Sequence, residues 1–252
     1  SDAQALAKIT TAVQKSDAET IMVKGNGPAT PYYRGRGLNN DQVNKHINMI
    51  KYGTDVPYIT THDLLTYTLA SGYTYTYQTT RSSVSEVVDM VGAAGGAGVK
   101  LIQVSSIDAC EAVQGSWYQN GSTLYVHASD SRNLVTTQPS RIWALLAVTN
   151  FTNSGDFTTY LEGLVFYGGV DTVLVSCTSS AGATFTAVNV ETGYSSAVLN
   201  GGGNNLSLLG CDAVLYNCDT HHSGLDGYNY HATGGFRQRI EPRWIHSERH
   251  LE

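Results

Sequence analysis

Charged side chains are scarce in this chain, and cations are missing from a long part of it. Asp, Glu, Lys and Arg make up 14% of the residues, against about 25% in a typical soluble domain. Residues 151–236 contain no Lys or Arg. Because nucleic-acid binding depends on clustered cations that displace counterions, this stretch predicts no nucleic-acid site. For the same reason it is a poor clamp for a strongly anionic polysaccharide.

Several motifs that would point to other protein classes are also missing. No CxxC pair is present, which argues against a zinc site. The G-x-S-x-G elbow and the GK[ST] ending of a phosphate loop are absent. No stretch is long and apolar enough to span a membrane, so we expect no membrane insertion. The four cysteines are expected to be buried thiols rather than disulfides: Cys110, Cys177, Cys211 and Cys218.

The residues that are abundant favour strands and turns. The chain holds 26 Gly and 16 Tyr, with many Ser, Thr and Asn, a composition typical of an all-β protein with a turn-rich surface. Near the N-terminus, however, apolar spacing predicts helices over residues 2–16 and 41–52. The Gly-rich segment between them, residues 25–37, is expected to be an irregular loop.

The middle of the chain predicts a strand, a turn and a hairpin. Residues 73–80 (YTYTYQTT) alternate strictly, which places three tyrosines on one strand face. That face is either a sugar-stacking platform or a half-buried sheet surface, and the second is favoured. Residues 92–98 (GAAGGAG) predict a wide turn, and residues 107–113 a short helix. Asn120-Gly121 within residues 116–127 predicts a tight β-hairpin.

From about residue 161 onward, short apolar runs alternate with small polar turns. The runs are GLVF (163–166), TVLVSC (172–177), TFTAVNV (184–190), SAVL (196–199), NLSLLG (205–210), AVLYNC (213–218) and DGYNYH (226–231). They echo one another: Asn189-Val190-Glu191 recurs as Asn217-Cys218-Asp219. This spacing is in the range of solenoid repeats, whose coils stack and align like residues, so that asparagines can form amide ladders.

Residues 161–232 (LEGLVFYGG to GNNLSLLGCDAVLYNCDTHHSGLDGYNYHA) resemble right-handed parallel β-helix proteins of the pectate-lyase-like superfamily. Residues 116–132 (SWYQNGSTLYVHASDSR) resemble the hairpin that leads into the coils of some bacterial and phage members. The resemblance implies an all-β, right-handed parallel β-helix (solenoid) with an N-terminal region containing short helices and a β-hairpin. Polysaccharide lyases, glycoside hydrolases, uronan epimerases and phage tailspikes belong to this superfamily, which shares coils rather than one catalytic motif.

Four segments follow from these patterns. Residues 1–98 are expected to form an N-terminal region of helices and strands that includes the first coils or a cap. Residues 99–150 contain the hairpin and early coils, and residues 151–236 the β-helix coils. Residues 237–252 do not continue the pattern and are expected to be an atypical tail or capping segment ending in a cloning remnant, Leu251-Glu252.

The densest polar cluster lies in residues 218–231. From it we predict catalytic roles for Asp219, Asp226, His221 and His222. Substrate binding is predicted for Tyr228, Tyr230, His231 and Glu191. Two registers remain open here. If Leu225 faces the core, Asp226, Tyr228 and Tyr230 face outward; in the opposite register Tyr228 and Tyr230 fill the core and His231 is exposed. Ordinary turn chemistry of Asp, Asn and His is the simpler alternative for this cluster.

We therefore expect a carbohydrate-active protein that binds and cleaves a polysaccharide in a groove on the outer coil face. Two carboxylates would serve as acid and base, with Glu191 or Glu162 on a neighbouring coil as further candidates. A polysaccharide lyase is the other enzymatic option, and the missing cations count against it. The alternative is a non-catalytic glycan-binding, receptor-binding or structural solenoid.

The remaining expectations follow from the hypothesis of a carbohydrate-active protein. The partner is a polysaccharide or cell-surface glycan, and homo-oligomer formation is left open. The location is extracellular, secreted or on a virion surface. No metal or other cofactor is expected, with Ca²⁺ bound by Asp and backbone oxygens as the alternative.

Overall fold

The computed structural model describes residues 19–25, 27, 31–33, 43–91, 98–137, 141–177, 184–196 and 203–231, and the backbone of residues 240–247. The chain is mostly β, with parallel sheets. It divides into two compact units. Unit 1 comprises Ser1–Thr61 and Ala147–Glu252, and unit 2 comprises His62–Leu146. These boundaries differ from the four segments expected from the sequence.

The described strands are numbered in chain order. The first part of unit 1 contains β1 (Thr20–Lys24), β2 (Tyr32–Tyr33), β3 (Ile47–Tyr52) and β4 (Tyr58–Thr60). Unit 2 contains β5 (Thr68–Leu69), β6 (Tyr77–Thr80), β7 (Val84–Asp89), β8 (Val99–Lys100), β9 (Ile102–Gln103), helix α1 (Ile107–Ala112), β10 (Ser116–Asn120), β11 (Thr123–His127) and β12 (Ile142–Leu146). The second part of unit 1 contains β13 (Phe151–Ser154), β14 (Thr159–Glu162), β15 (Val165–Gly169), β16 (Val173–Ser176), β17 (Thr184–Val188), β18 (Glu191–Ser195), β19 (Leu206–Leu209), β20 (Asp212–His221), β21 (Tyr228–His231) and β22 (Ile240–Ser247).

Unit 1 is built from strands that pair in parallel. One sheet has the order β1-β3-β14-β17-β20-β18-β15-β4-β2, with β22 also paired to β20. A second sheet has the order β13-β16-β19-β21. The long strand β20 pairs with β17 through its first half and with β18 through its second half. The chain thus returns repeatedly to each sheet.

The core of unit 1 lies on one face of these strands. Strands β13, β14 and β16 each alternate between buried and half-buried positions, because successive side chains of a strand point to opposite faces. The buried positions carry large apolar residues, among them Phe151, Leu161, Phe166, Phe185 and Leu208. Burying each such side chain stabilises the fold by about 1.5–3 kcal/mol, which explains why the apolar runs set the strand register.

The predicted asparagine ladder is present. Asn217 donates from Nδ2 to Oδ1 of Asn189 over 2.7 Å. Both residues adopt left-handed backbone conformations, with φ of 52° at Asn189 and 50° at Asn217, which asparagine tolerates better than most residues. They lie at equivalent corners: Asn189 separates β17 from β18, and Asn217 lies at the bend of β20.

Unit 2 is mostly antiparallel. Its two sheets have the orders β5-β6-β11-β10-β9 and β12-β7-β8. The predicted hairpin is confirmed as β10 and β11, and the predicted short helix as α1, capped by the Ser106 hydroxyl. The turn differs from the prediction, because Asn120 pairs with Thr123 and Gly121 is the first turn residue, with φ of 57°. Only a glycine adopts that conformation without steric cost.

Two other predictions are wrong. The described part of residues 41–52 is not helical, because residues 47–52 form β3 between β1 and β14. The apolar positions there fit a strand as well as a helix, and pairing with two strands decides between them. In residues 73–80 only residues 77–80 form a strand. Residues 73–76 form a turn, so the tyrosines do not share one strand face.

Other predicted segments stand as follows. The helix at residues 2–16, most of the Gly-rich turn at 92–98 and residues 197–199 of the SAVL run lie outside the described residues. Residues 240–247 of the C-terminal segment pair in parallel with β20, so this part of the segment continues the sheet, which the sequence did not predict. None of the four cysteines forms a disulfide, and all four are buried, as predicted.

Candidate functional site

The site forms where three neighbouring parallel strands of unit 1 carry residues in register. Tyr167 of β15 pairs with Gly193 of β18, which pairs with His221 of β20. A Cβ at Gly193 would lie 2.6 Å from the His221 ring. The missing side chain lets the phenol and the imidazole meet from strands that are not neighbours. The Tyr167 hydroxyl and His221 Nε2 are 3.2 Å apart.

Glu191 connects these two side chains. The Tyr167 hydroxyl donates a hydrogen bond to Oε1 of Glu191, and His221 Nε2 lies 2.9 Å from the same oxygen. Glu191 and Gly193 are two residues apart on one strand, so they project to the same face. The Glu191 side chain is 25% exposed, whereas that of His221 is 7% exposed. Solvent therefore reaches the cluster through the carboxylate.

His222 and Tyr194 extend the cluster. The Nδ1 atoms of His221 and His222 are 2.9 Å apart. Tyr194 stacks on His222 with ring centroids 4.7 Å apart. Both residues hold left-handed backbone conformations, with φ of 60° at Tyr194 and 50° at His222. A φ in this region is uncommon outside glycine, and such backbone strain persists only where surrounding contacts enforce it.

Asn205 braces the strand ends that carry these rings. Its Nδ2 donates to the His221 carbonyl oxygen over 2.8 Å, and its Oδ1 accepts from the Ser195 amide over 3.2 Å. Asn205 is fully buried. Because a buried amide with both ends bonded has one orientation, Asn205 holds the ends of β18 and β20 in a defined relation.

The protonation pattern follows from burial. Desolvation, and next the negative charge of Glu191, raise the pKa of Tyr167 well above its ordinary value. The phenol therefore keeps its proton at neutral pH and donates a hydrogen bond to the carboxylate. The hydrogen-bond roles of the two imidazoles depend on the tautomer: with its proton on Nε2, His221 donates to Glu191 and accepts at Nδ1 from His222. Glu191 is thus a carboxylate held by two donors.

Asp219 lies beside Glu191. The two residues are register partners on β18 and β20, so their side chains project to the same face from strands that are ~4.8 Å apart. Asp219 is half-buried. The structure thus brings together four of the predicted site residues, Glu191, Asp219, His221 and His222.

The other four predicted residues lie elsewhere. Asp226 is exposed on the loop that precedes β21, where its backbone amide donates to Asn204 Oδ1. Tyr228 and Tyr230 pack against the core of unit 1, and His231 is exposed. The Tyr228 hydroxyl donates to the Cys218 carbonyl oxygen over 3.1 Å.

These positions settle the register of residues 224–231. Leu225 is 38% exposed, so the alternative in which it faces the core and the tyrosines face outward is wrong. Burial raises the pKa of Tyr228 and of Tyr230. The two rings stack on each other with centroids 6.1 Å apart. Packing the two rings against the core stabilises the fold more than exposing them to solvent would, so the tyrosines set the register.

Sequence reasoning missed Tyr167, Tyr194 and Asn205. Tyr167 lies within an apolar run, GLVFYGG, so the sequence alone suggests a core residue. The signal that would have found it is the repeat itself: Val165, Glu191 and Asp219 are register partners. Extending that alignment by two residues places Tyr167, Gly193 and His221 in one row.

No known protein family, curated protein or solved structure matches this chain. Within the described residues, no group of three or more His, Cys, Asp or Glu side chains is arranged to hold a metal ion. The described part of the chain contains no helix that is long and apolar enough to cross a membrane.

Proposed function

We propose that unit 1 is a right-handed parallel β-helix that cleaves a polysaccharide by glycoside hydrolysis at Glu191 and Asp219. The repeated strand order supports the architecture. Successive strands join three parallel ladders: β13-β16-β19-β21, β3-β14-β17-β20 and β4-β15-β18-β20. The right-handed sense follows from the strong preference of parallel crossovers for that hand, and the resemblance of residues 161–232 to pectate-lyase-like proteins accords with it.

One observation carries the catalytic proposal: Tyr167 and His221 both bond to one oxygen of Glu191, and Asp219 lies in register beside it. Hydrolysis with retention uses two carboxyl groups about 5–5.5 Å apart. Side chains in register on adjacent parallel strands, ~4.8 Å apart, are suited to that separation. Asp226 does not belong to this pair, since it lies on the loop before β21.

The residues have distinct roles in the proposed reaction. The Glu191 carboxylate attacks the anomeric carbon while the glycosidic C–O bond breaks, and Asp219 protonates the leaving oxygen. Water then attacks the same carbon, Asp219 takes its proton, and the bond to Glu191 breaks. Tyr167 and His221 orient Glu191 and stabilise its negative charge through preorganised hydrogen bonds. His222 and Asn205 are positioning residues that hold His221.

A lyase reaction has less support. Elimination from a uronate requires a cation to neutralise the sugar carboxylate, and residues 151–236 contain no Lys or Arg. A non-catalytic glycan-binding, receptor-binding or structural module is the second candidate. It is favoured by the burial of Tyr167 and His221, because a buried polar network also serves to fix strand register. The hydrolase and a glycan-binding module would both act on a glycan, which accords with a secreted or virion-surface location.

Incubation with neutral and acidic polysaccharides separates these candidates. Reducing ends and unsaturated products absorbing in the ultraviolet are measured for the wild type, Glu191→Gln and Asp219→Asn. We expect reducing ends without unsaturated products, and a loss of about 10²-fold or more in each variant. Glu162→Gln is the matched control, because Glu162 accepts a tyrosine hydroxyl bond from Tyr160 over 2.7 Å but lies on β14.

The outcomes are distinct. Unsaturated products would indicate a lyase. Binding without cleavage of any polysaccharide would favour the non-catalytic module. Cleavage that survives Glu191→Gln would show that the chemistry lies elsewhere.

A further inference from the structure

Unit 2 carries a pair of stacked tyrosines on one face of its hairpin. Tyr118 of β10 and Tyr125 of β11 are register partners, and their rings are 6.0 Å apart and 18° from parallel. Both are partly exposed. The opposite face of the same strands is the core of unit 2, with Trp117, Leu124 and Val126 buried. The tyrosine pair is therefore not needed to fill that core.

The pair belongs to a row that crosses four strands. Tyr125 is in register with Gln78 of β6, which is in register with Thr68 of β5. All four side chains of the row project to one face, and three strand spacings give it a length of about 14 Å. The row thus offers two aromatic rings, an amide and a hydroxyl in sequence. We call this row, with its adjoining residues, the tyrosine platform.

A groove of about 440 Å³ adjoins the platform. Among the described residues, its lining contains hydroxyl and amide groups and two leucines and no charged side chain: Leu64, Leu65, Thr66, Thr68, Gln78, Thr79, Thr80 and Thr123. Such a lining offers hydrogen bonds to a neutral polar ligand and no ion pair to an anion.

The turn beside the platform is held rigidly. The Glu111 carboxylate accepts hydrogen bonds from the backbone amides of Thr74, Tyr75 and Thr76, at 2.9–3.2 Å. Tyr75 then stacks on His127, with ring centroids 5.4 Å apart and planes 6° apart, and remains 47% exposed. A binding surface that is already ordered loses less conformational entropy when a ligand binds.

The charges around the platform argue against a polyanion. Two carboxylates hold the turn beside it: Asp108, which accepts the Tyr73 hydroxyl bond, and Glu111. The four cations of unit 2 are engaged elsewhere. Arg81 pairs with Asp63, Lys100 with Glu86 and Arg132 with Asp89, and Arg141 donates to the Met90 carbonyl oxygen.

We propose that the tyrosine platform binds a neutral polysaccharide chain, independently of the cleavage proposed for unit 1. The apolar C–H faces of sugars pack on aromatic rings, and their hydroxyls bond to amides and hydroxyls. Tyrosine offers both kinds of contact with few rotatable bonds. The four-strand row accommodates several linked sugars, so the ligand is a chain rather than a monosaccharide.

Affinity gel electrophoresis tests this inference. Mixed-linkage β-glucan, galactomannan and starch are the neutral probes, and polygalacturonate is the acidic one. At least one neutral probe should retard the wild type, and Tyr118→Ala and Tyr125→Ala should each weaken binding about tenfold or more. Tyr216→Ala is the matched control, since Tyr216 is a 46% exposed tyrosine on a strand of unit 1.

Two further variants keep the inference falsifiable. Gln78→Ala removes a hydrogen-bonding group without touching the aromatic stack and should also weaken binding. It provides the test if the tyrosine variants fail to fold. Tyr118→Ala and Tyr125→Ala are also made in the Glu191→Gln background, where the proposed cleavage is lost, and should weaken binding there by the same factor, which separates the platform from the proposed active site. Retardation by polygalacturonate alone, by no probe, or equally in the wild type and the folded platform variants overturns the inference. So does a loss of binding in Glu191→Gln that leaves Tyr118→Ala unaffected.

Discussion

The imidazole of His221 occupies the space that a side chain at Gly193 would fill. A Cβ at Gly193 would lie 2.6 Å from Cε1 of that ring, closer than non-bonded carbon atoms approach. Gly193 is also the register partner of Tyr167 on the other side. The contact between Tyr167, Glu191 and His221 therefore requires a glycine at position 193.

Gly193→Ala should displace His221 from Glu191. Overpacking a buried position typically costs about 1–3 kcal/mol, measurable as a lower urea midpoint. Polysaccharide cleavage should fall in parallel if the proposed function holds. In the double variant Gly193→Ala/His221→Ala the clash is gone, so its cost should be clearly smaller than the sum of the two single costs. Strict additivity would mean that the ring and the glycine do not interact.

Asn217→Ala should destabilise unit 1 by about 1–2 kcal/mol. The change removes the hydrogen bond to Asn189 and places alanine at φ of 50°, a left-handed conformation that costs about that much outside Gly and Asn. Asn217→Gly loses the same bond without the backbone strain, so it should be milder. Chemical denaturation of both variants measures the difference. Equal destabilisation would show that the side-chain bond, not the backbone conformation, dominates.

Stability should fall as the pH rises above about 10. Burial raises the pKa of Tyr167, Tyr228 and Tyr230 above the ordinary value of 10.0. A raised pKa in the folded state means that the unfolded chain loses the proton first. Between the unfolded-state and folded-state pKa values, each tyrosine therefore lowers the free energy of unfolding by at most about 1.4 kcal/mol per pH unit.

Urea titrations between pH 9 and pH 11 measure the slope of that loss. Tyr228→Phe should flatten it, because phenylalanine cannot titrate. Tyr216→Phe, at an exposed position, serves as the control. An unchanged slope in Tyr228→Phe would contradict the assignment.

Glu111→Gln should loosen the turn at residues 74–76. Burial opposes ionisation of Glu111, but hydrogen bonds from the turn outweigh it and lower the pKa of the carboxyl below 4.5. A lowered pKa in the folded state means that the stabilisation is present above about pH 4.5 and is lost as the pH falls through the folded value. The protection of the amides of residues 74–76, measured against their intrinsic exchange rates at each pH, should therefore fall on acidification in the wild type.

In the Glu111→Gln variant these amides should show little protection at any pH. Exchange of the α1 amides provides the internal control, since Ser106, not Glu111, caps that helix. Protection of residues 74–76 that survives the substitution would show that the turn does not depend on the carboxylate.

Much of the secondary structure could be predicted from local sequence patterns. The hairpin of β10 and β11 follows from the apolar residues on both sides of Asn120-Gly121, and α1 from a short segment that ends before Gly115. Most strands from β15 to β21 overlap the short apolar runs, because each run must bury one face, but β18 (Glu191–Ser195) lies between two of them. Residues 47–52 were misread as a helix because Val43, Ile47 and Ile50 fit the helical spacing, and only the neighbours β1 and β14 impose a strand.

For the candidate site, the sequence supplied residue types and the repeat, and the tertiary structure chose among them. Glu191, Asp219, His221 and His222 stood out as polar residues near turns, but so did Asp226. Tyr167 was missed, because an apolar run by itself does not reveal which of its members faces outward, and only alignment of its strand with β18 and β20 does so.

The sequence by itself determined the β-rich character, the shortage of cations in residues 151–236 and the repeat marked by Asn189 and Asn217. These depend on composition and local periodicity. Only the tertiary structure decided the register of Tyr228 and Tyr230, the meeting of Tyr167 with His221 across Gly193, and the row from Thr68 to Tyr118. Each of these depends on which strands become neighbours, and a shift of one residue in that pairing would send every side chain to the opposite face.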